Sequence, residues 1–216
     1  MVRRRSFSLP PGYSGRDATS YAAFRDALAA SGCTLCPLCE GRKHIVVDRG
    51  SPDARVMAIG EGPGAEEDRA GRAFVGRAGR LLDSMLEEAD IDPERDVLIA
   101  NVVKCRPPKN RRPTDAEAHS CLPFLRRQIE LVRPRVLVLL GATAVRHLLP
   151  GEGTGPLARR VGKFFVRPEY PGIELMALFH PAFILRDPRR RPEVVRHLKE
   201  LRRRLSEIVR TEIPLN

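Results

Sequence analysis

Short apolar runs that alternate with helical stripes limit, more than anything else, what this chain can fold into. Arg55-Val56-Met57-Ala58-Ile59 runs into a glycine turn and reads as a central strand. Val97-Leu98-Ile99-Ala100 and the segment Arg135 to Leu140 read as two more buried strands, with further ones at Lys163–Arg167 and Ile173–Leu178. Between them lie helical patterns. Tyr21, Phe24 and Leu28 recur at helical spacing ahead of a Ser31-Gly32 stop, and Leu81, Leu82, Met85, Leu86 and Ala89 form a second stripe. Thr114-Asp115-Ala116-Glu117 has capping-box spacing, although Pro123 then demands either a kink or a late start. A closing helix from near Pro192 turns Val194, Val195, Leu198, Leu201, Leu205 and Ile208 inward. Such alternation predicts an α/β fold, a three-layer α/β/α sandwich around a central, largely parallel sheet of four to five strands. Residues 1–16, with their arginines and Pro10-Pro11-Gly12, read as a flexible basic arm, and 17–216 as a single domain.

Charge adds a direction. Lys+Arg 38 against Asp+Glu 27 leaves +11, which favours an anionic partner, nucleic acid first; arginine-rich usage in an enzyme of any kind is the plainer reading. The longest apolar run, Val136 to Val145, is broken by Gly141 and too short to span a bilayer, and no apolar segment follows the basic start, so neither membrane nor signal peptide is expected. Five cysteines, an odd number in a chain without a secretory signal, point to metal or cluster ligation rather than disulfides.

Ligands of open parallel sheets sit beyond the carboxyl ends of the strands, so the segments that follow the strands carry the functional reading. Gly60-Glu61-Gly62-Pro63-Gly64 fails as a phosphate cradle: Pro63 and the acidic run Glu66-Glu67-Asp68 follow it, and Asp83 falls on a helix. It reads better as a tight turn that presents Glu61 to a pocket, against the plainer reading of a solvated loop. Asn101, at a strand end, offers a donor and an acceptor to a base edge. The loop after it, Lys104-Cys105-Arg106-Pro107-Pro108-Lys109-Asn110-Arg111-Arg112-Pro113, is basic and stiff enough to hold phosphates, or is an ordinary charged loop. His180 opens His180-Pro181-Ala182-Phe183-Ile184-Leu185-Arg186, whose apolar residues suit a wedge between base steps or a return into the core. Cys33, Cys36 and Cys39 form a C-x-x-C-x-x-C run, with Cys105 and Cys121 downstream. Four thiolates suit zinc or a cubane cluster, and one cysteine is left over.

Taken in order, these words resemble those of the family 4 uracil-DNA glycosylases: the cysteine pair, Gly60–Gly64, Gly71-Arg72-Ala73-Phe74-Val75-Gly76, Asn101–Pro113, Cys121 and His180–Arg186. The resemblance runs from about Cys33 to Arg186. It implies a monomeric, cytoplasmic repair enzyme that flips uracil out of single- or double-stranded DNA and hydrolyses its glycosidic bond, leaving an abasic site without strand cleavage. It implies Glu61 and His180 as catalytic groups, and Gly62, Glu67, Phe74 and Asn101 around uracil, with Glu67 excluding thymine's methyl. A [4Fe–4S] cluster would sit on Cys33, Cys36, Cys105 and Cys121, the Cys36/Cys39 pair remaining an alternative of the same spacing. Lys104, Arg106, Lys109, Arg111, Arg112, Phe183, Ile184, Leu185 and Arg186 would meet DNA. A covalent-bonding branch of the superfamily carries a Lys/Arg-rich insertion ending in histidine, which this loop lacks.

Overall fold

The structure, a computed structural model, describes residues 18–149 and 156–212; the basic arm expected at 1–16 lies outside them. Strands β1 (Arg49–Gly50), β2 (Val56–Gly60), β3 (Val97–Asn101), β4 (Val136–Leu140), β5 (Phe164–Val166) and β6 (Glu174–Leu178) form one sheet in the order β1-β3-β2-β4-β6-β5. The four inner strands are parallel, and the edge strands β1 and β5 pair antiparallel. Helices α1 (Tyr21–Ala30), α2 (Ala65–Ala70), α3 (Arg77–Glu87), α4 (Asp115–Val132), α5 (Ala142–Leu148), α6 (Pro181–Arg186) and α7 (Arg191–Glu212) complete it.

The alternation of side chains along the inner strands makes the three layers. Met57 and Ile59, Leu98 and Ala100, Leu137 and Leu139, and Leu175 and Ala177 turn to one face, where α1, α4 and α5 cover them. Val56 and Ala58, Val97 and Ile99, Val136 and Val138, and Met176 and Leu178 turn to the other, under α3, α6 and α7. The inner strands are therefore apolar throughout, as buried parallel strands must be. On α7 the inward residues Val194, Val195, Leu198, Leu201 and Leu205 are buried as their spacing predicts.

The sheet has six strands where the sequence predicts four to five. The additional one, β1, is only two residues long and offers no periodicity to read. Pro123 neither delays nor ends α4, which starts at Asp115 behind the Thr114–Glu117 capping box and continues through it. Asp83 lies on α3 and pairs with Arg49 of β1, consistent with the rejection of a dinucleotide site. Among the described residues no helix is long and apolar enough to cross a membrane.

Candidate active site

The chain leaves β2 for β3 on one side and later reaches β4 on the other, so a crevice opens beyond the carboxyl ends of these strands. Four strands each deliver one group there: Glu61 after β2, Asn101 at the end of β3, Thr143 just after β4, and His180 two residues beyond β6. Gly60 is the point of closest approach. A Cβ on it would lie 2.5 Å from Phe74 Cζ and 2.6 Å from Asn101 Oδ1, so only glycine lets the ring and the amide meet over the strand end.

Asn101 is 1% exposed, yet neither its Nδ2 nor its Oδ1 has a hydrogen-bond partner within the protein. Burying an amide with both ends unsatisfied costs several kcal/mol, roughly 2–7 for a group of this kind. No group of the fold satisfies this amide, which leaves both of its ends open to something that enters the crevice.

Phe74 is buried with its backbone in the left-handed region, φ 52°. Gly79 makes this possible: a Cβ there would stand 1.7 Å from the carbonyl oxygen of Phe74. The Phe74 ring lies 5.7 Å, centroid to centroid, from the His180 imidazole at a 39° tilt. His180 caps α6, its Nδ1 accepting the N–H of Ala182 at 3.1 Å. Burial, aided by Arg186, lowers its pKa from 6.5 to about 4. The ring is therefore neutral at physiological pH, and since Nδ1 is an acceptor, its proton sits on Nε2.

Thr143 donates its hydroxyl to Glu61 Oε2, leaving Oε1 for another partner. Glu67 is a clasp: Oε2 accepts from the Gly64 amide at 3.1 Å and Oε1 from the Gly76 amide at 2.7 Å. One carboxylate thus caps α2 and α3 and ties the glycine turn to the segment that carries Phe74. The rest of the acidic run is structural as well, with Asp68 accepting the amides of Lys43 and His44.

The cysteines gather elsewhere. Cys33, Cys36, Cys105 and Cys121 line one cavity together with Leu28, Arg42 and Lys104, and Cys39 is not part of its lining. Burial pushes the Cys105 thiol up to about 11 and that of Cys121 up to about 12. Arg42 reaches Cys105 Sγ at 3.5 Å, and the Lys104 amide donates to Cys121 Sγ at 3.3 Å. N–H groups aimed at sulfur favour the thiolate, the form that a metal group takes. Among the described residues, no three His, Cys, Asp or Glu side chains converge on a single-ion site.

Two expected DNA contacts need correcting. Lys104 is 1% exposed; its ammonium donates to the Asn101 carbonyl at 2.9 Å and to Gln128 Oε1, so it cannot reach a phosphate. Ile184 is buried against α3 and α7 and cannot act as a wedge. Phe183 leans on Phe179 at 5.1 Å, which leaves Leu185, at 37% exposed, as the apolar tip. Lys109, Arg112 and Arg186 are exposed, Arg106 bonds Asn110, and Arg111 is held in a two-pronged ion pair by Glu117. Thr143 and Arg42 escaped the sequence reading; the one signal for Thr143 was its place just beyond a strand end.

Residues 47–205 match the family model of the Uracil DNA glycosylase superfamily. The chain is 46% identical over 155 residues to the Type-4 uracil-DNA glycosylase of Thermotoga maritima, covering 72% of this chain and 79% of that one. It is 42% identical over 169 residues to the Type-4 uracil-DNA glycosylase of Pyrobaculum aerophilum, covering 77% and 86%. With the Type-5 uracil-DNA glycosylase of Thermus thermophilus it shares 31% identity over 192 residues, covering 73% and 85%.

Proposed function

This chain belongs to the uracil-DNA glycosylase superfamily, with type-4 enzymes among its relatives, and from that premise we propose how its crevice removes uracil from DNA. The observation that carries the reading is Asn101. Uracil presents an N–H donor at N3 beside a carbonyl acceptor at O4, and the Asn101 amide offers the complementary pair, both atoms unclaimed by the protein. Cytosine presents the reverse pattern, so an Asn101 amide held in that one orientation leaves two buried polar contacts unmade against it, the discrimination that buried hydrogen-bonding sites achieve best. A base in a duplex cannot reach a buried amide, so it must be flipped out of the stack.

Phe74 supplies a face for the flipped ring, and Gly62 allows the backbone of the turn to approach it. The Glu67 clasp keeps that turn from yielding, which is how Glu67 would exclude a methyl at C5. As the C1′–N1 bond breaks, charge grows on the departing base. The Nε2–H of neutral His180 donates to that developing charge at O2 as a preorganised donor. Glu61, pinned through one oxygen by Thr143, uses the other to orient the attacking water and to stabilise the sugar cation. Water gives its hydroxyl to C1′ in place of the base and its other proton ends on the departing uracil anion, so that free uracil and an abasic site result.

The residues around the cysteine-lined cavity fit a [4Fe–4S] cluster held by Cys33, Cys36, Cys105 and Cys121. Four thiols drawn from two regions of the chain are the donor set that such a cluster takes. The cluster would organise the fold around the Cys105 loop. Beside it, Lys109 and Arg112 would meet phosphates, with Arg106, Arg111, Phe183, Leu185 and Arg186 supporting the same surface.

Incubating the iron-loaded protein with a labelled uracil-containing oligonucleotide tests the reading. Release of free uracil that Asn101→Asp shifts or abolishes is the expected result, and a protein that leaves uracil in place sinks it.

A further inference from the structure

We propose that Lys104 is a positioning residue that ties the cysteine-lined cavity to Asn101 and so holds the base-reading amide in register. This rests on the glycosylase reading above. The Asn101 side chain has no partner in the protein, so its aim is set by packing and by the backbone that carries it. That backbone is held from below: the Lys104 ammonium donates to the Asn101 carbonyl at 2.9 Å.

A buried ammonium persists only if its protons are claimed, and its second bond goes to Gln128 Oε1. Gln128 is fixed in turn by its Nε2, which donates to Tyr21 Oη at 2.8 Å and to the Val47 carbonyl at 3.3 Å. Tyr21 donates to Asp48 at 2.5 Å. The other end of Lys104 is anchored too, since its backbone amide donates to Cys121 Sγ at 3.3 Å. Cys121 and Gln128 are seven residues apart on α4, about two turns and therefore on one face. A single helix thus grips Lys104 at its amide and at its ammonium, while Cys105, its neighbour in sequence, enters the cavity. The lysine thus links the cavity to the uracil pocket through its side chain as well as along the chain.

The experiment compares iron-loaded wild type, Lys104→Met, Gln128→Met and the double variant. Four quantities are read: iron per chain, affinity for a uracil-free oligonucleotide, kcat/KM for uracil excision, and inhibition by free uracil. Lys104→Met keeps the backbone amide on Cys121, so iron content and affinity for the uracil-free strand should match wild type. Its kcat/KM and its affinity for free uracil should both fall by about tenfold to a hundredfold, the range spanned by one hydrogen bond to a charged group. Gln128→Met should move both in the same direction, and the double variant should be no worse than Lys104→Met alone, because the two groups act as one. Should Lys104→Met fail to fold, Gln128→Met carries the comparison: weaker uracil affinity at full iron supports the proposal. Unchanged uracil affinity in the folded variants overturns it, as do fully additive losses or iron lost in step with activity. A wild type that released no uracil would sink the glycosylase reading and this inference together, whereas an active wild type with indifferent variants sinks the inference alone.

Discussion

At His180 a single backbone hydrogen bond decides where the proton sits. Because the Ala182 amide occupies Nδ1, the donor that the proposed mechanism uses is Nε2–H, and it belongs to a neutral ring. Replacing His180 by Ala should lower kcat by about a hundredfold to a thousandfold, the cost of losing one preorganised donor; activity within threefold of wild type would remove His180 from the mechanism. Acid tests the same group differently. With the folded pKa lowered from 6.5 to about 4, the unfolded chain binds a proton in that window which the folded chain refuses. Stability is therefore full above pH 6.5 and is lost as pH falls towards 4, by up to about 3 kcal/mol from this ring. Denaturant titrations between these limits should show a shallower pH slope in His180→Asn than in wild type, and equal slopes would refute the assignment. Residue identity was legible here in a way that burial was not. Asn101 stands out because it closes a strand, and His180 because it follows one. Lys104 sits among arginines and reads as one more surface charge until Gln128, a residue of a distant helix, accounts for its ammonium.

Elements decide what those residues can reach. Glycine inside a helix ordinarily weakens it, by about 1 kcal/mol relative to alanine. Gly79 sits inside α3 and reverses the rule, because the carbonyl of Phe74 occupies the space a methyl would need. Gly79→Ala should destabilise the fold by roughly 1–3 kcal/mol, as overpacking of a tight site does, and should also displace the Phe74 ring. Its denaturation midpoint should fall and its uracil-excision KM should rise; a more stable Gly79→Ala would show that the helix yields instead. The inner strands and amphipathic helices were readable from periodicity, since their apolar positions repeat over enough residues to carry a signal. The two-residue β1 was not, and neither was the passage of α4 through Pro123. The choice between Cys33 and Cys39 belongs to this scale as well: identical spacing in sequence leaves it open, and only the packing of the loop against α4 puts Cys33 at the cavity wall.

Over the whole molecule, +11 is a quantity whose placement matters more than its size. Much of the positive charge is already spent. On α7 Arg203 pairs with Glu200 and Glu207, and Arg204 reaches Glu174 of β6; Arg49 pairs with Asp83, and Arg111 with Glu117. The Cys105 loop departs from this pattern at Lys109 and Arg112, which are exposed. Counterion release makes the consequence measurable, since each phosphate contact contributes roughly 0.7 to the log–log salt slope on single strands and 0.9 on duplex. Lys109→Gln with Arg112→Gln should therefore flatten the slope by roughly two contacts' worth. Arg111→Gln should flatten it less, because Glu117 already claims that guanidinium through two bonds. Lys104→Met should leave the slope where it is, its ammonium being buried beneath Asn101. A slope that fell for Lys104→Met but held for the Lys109/Arg112 pair would mean that DNA crosses another face, and that the loop next to the cysteines serves the cavity and not the phosphates.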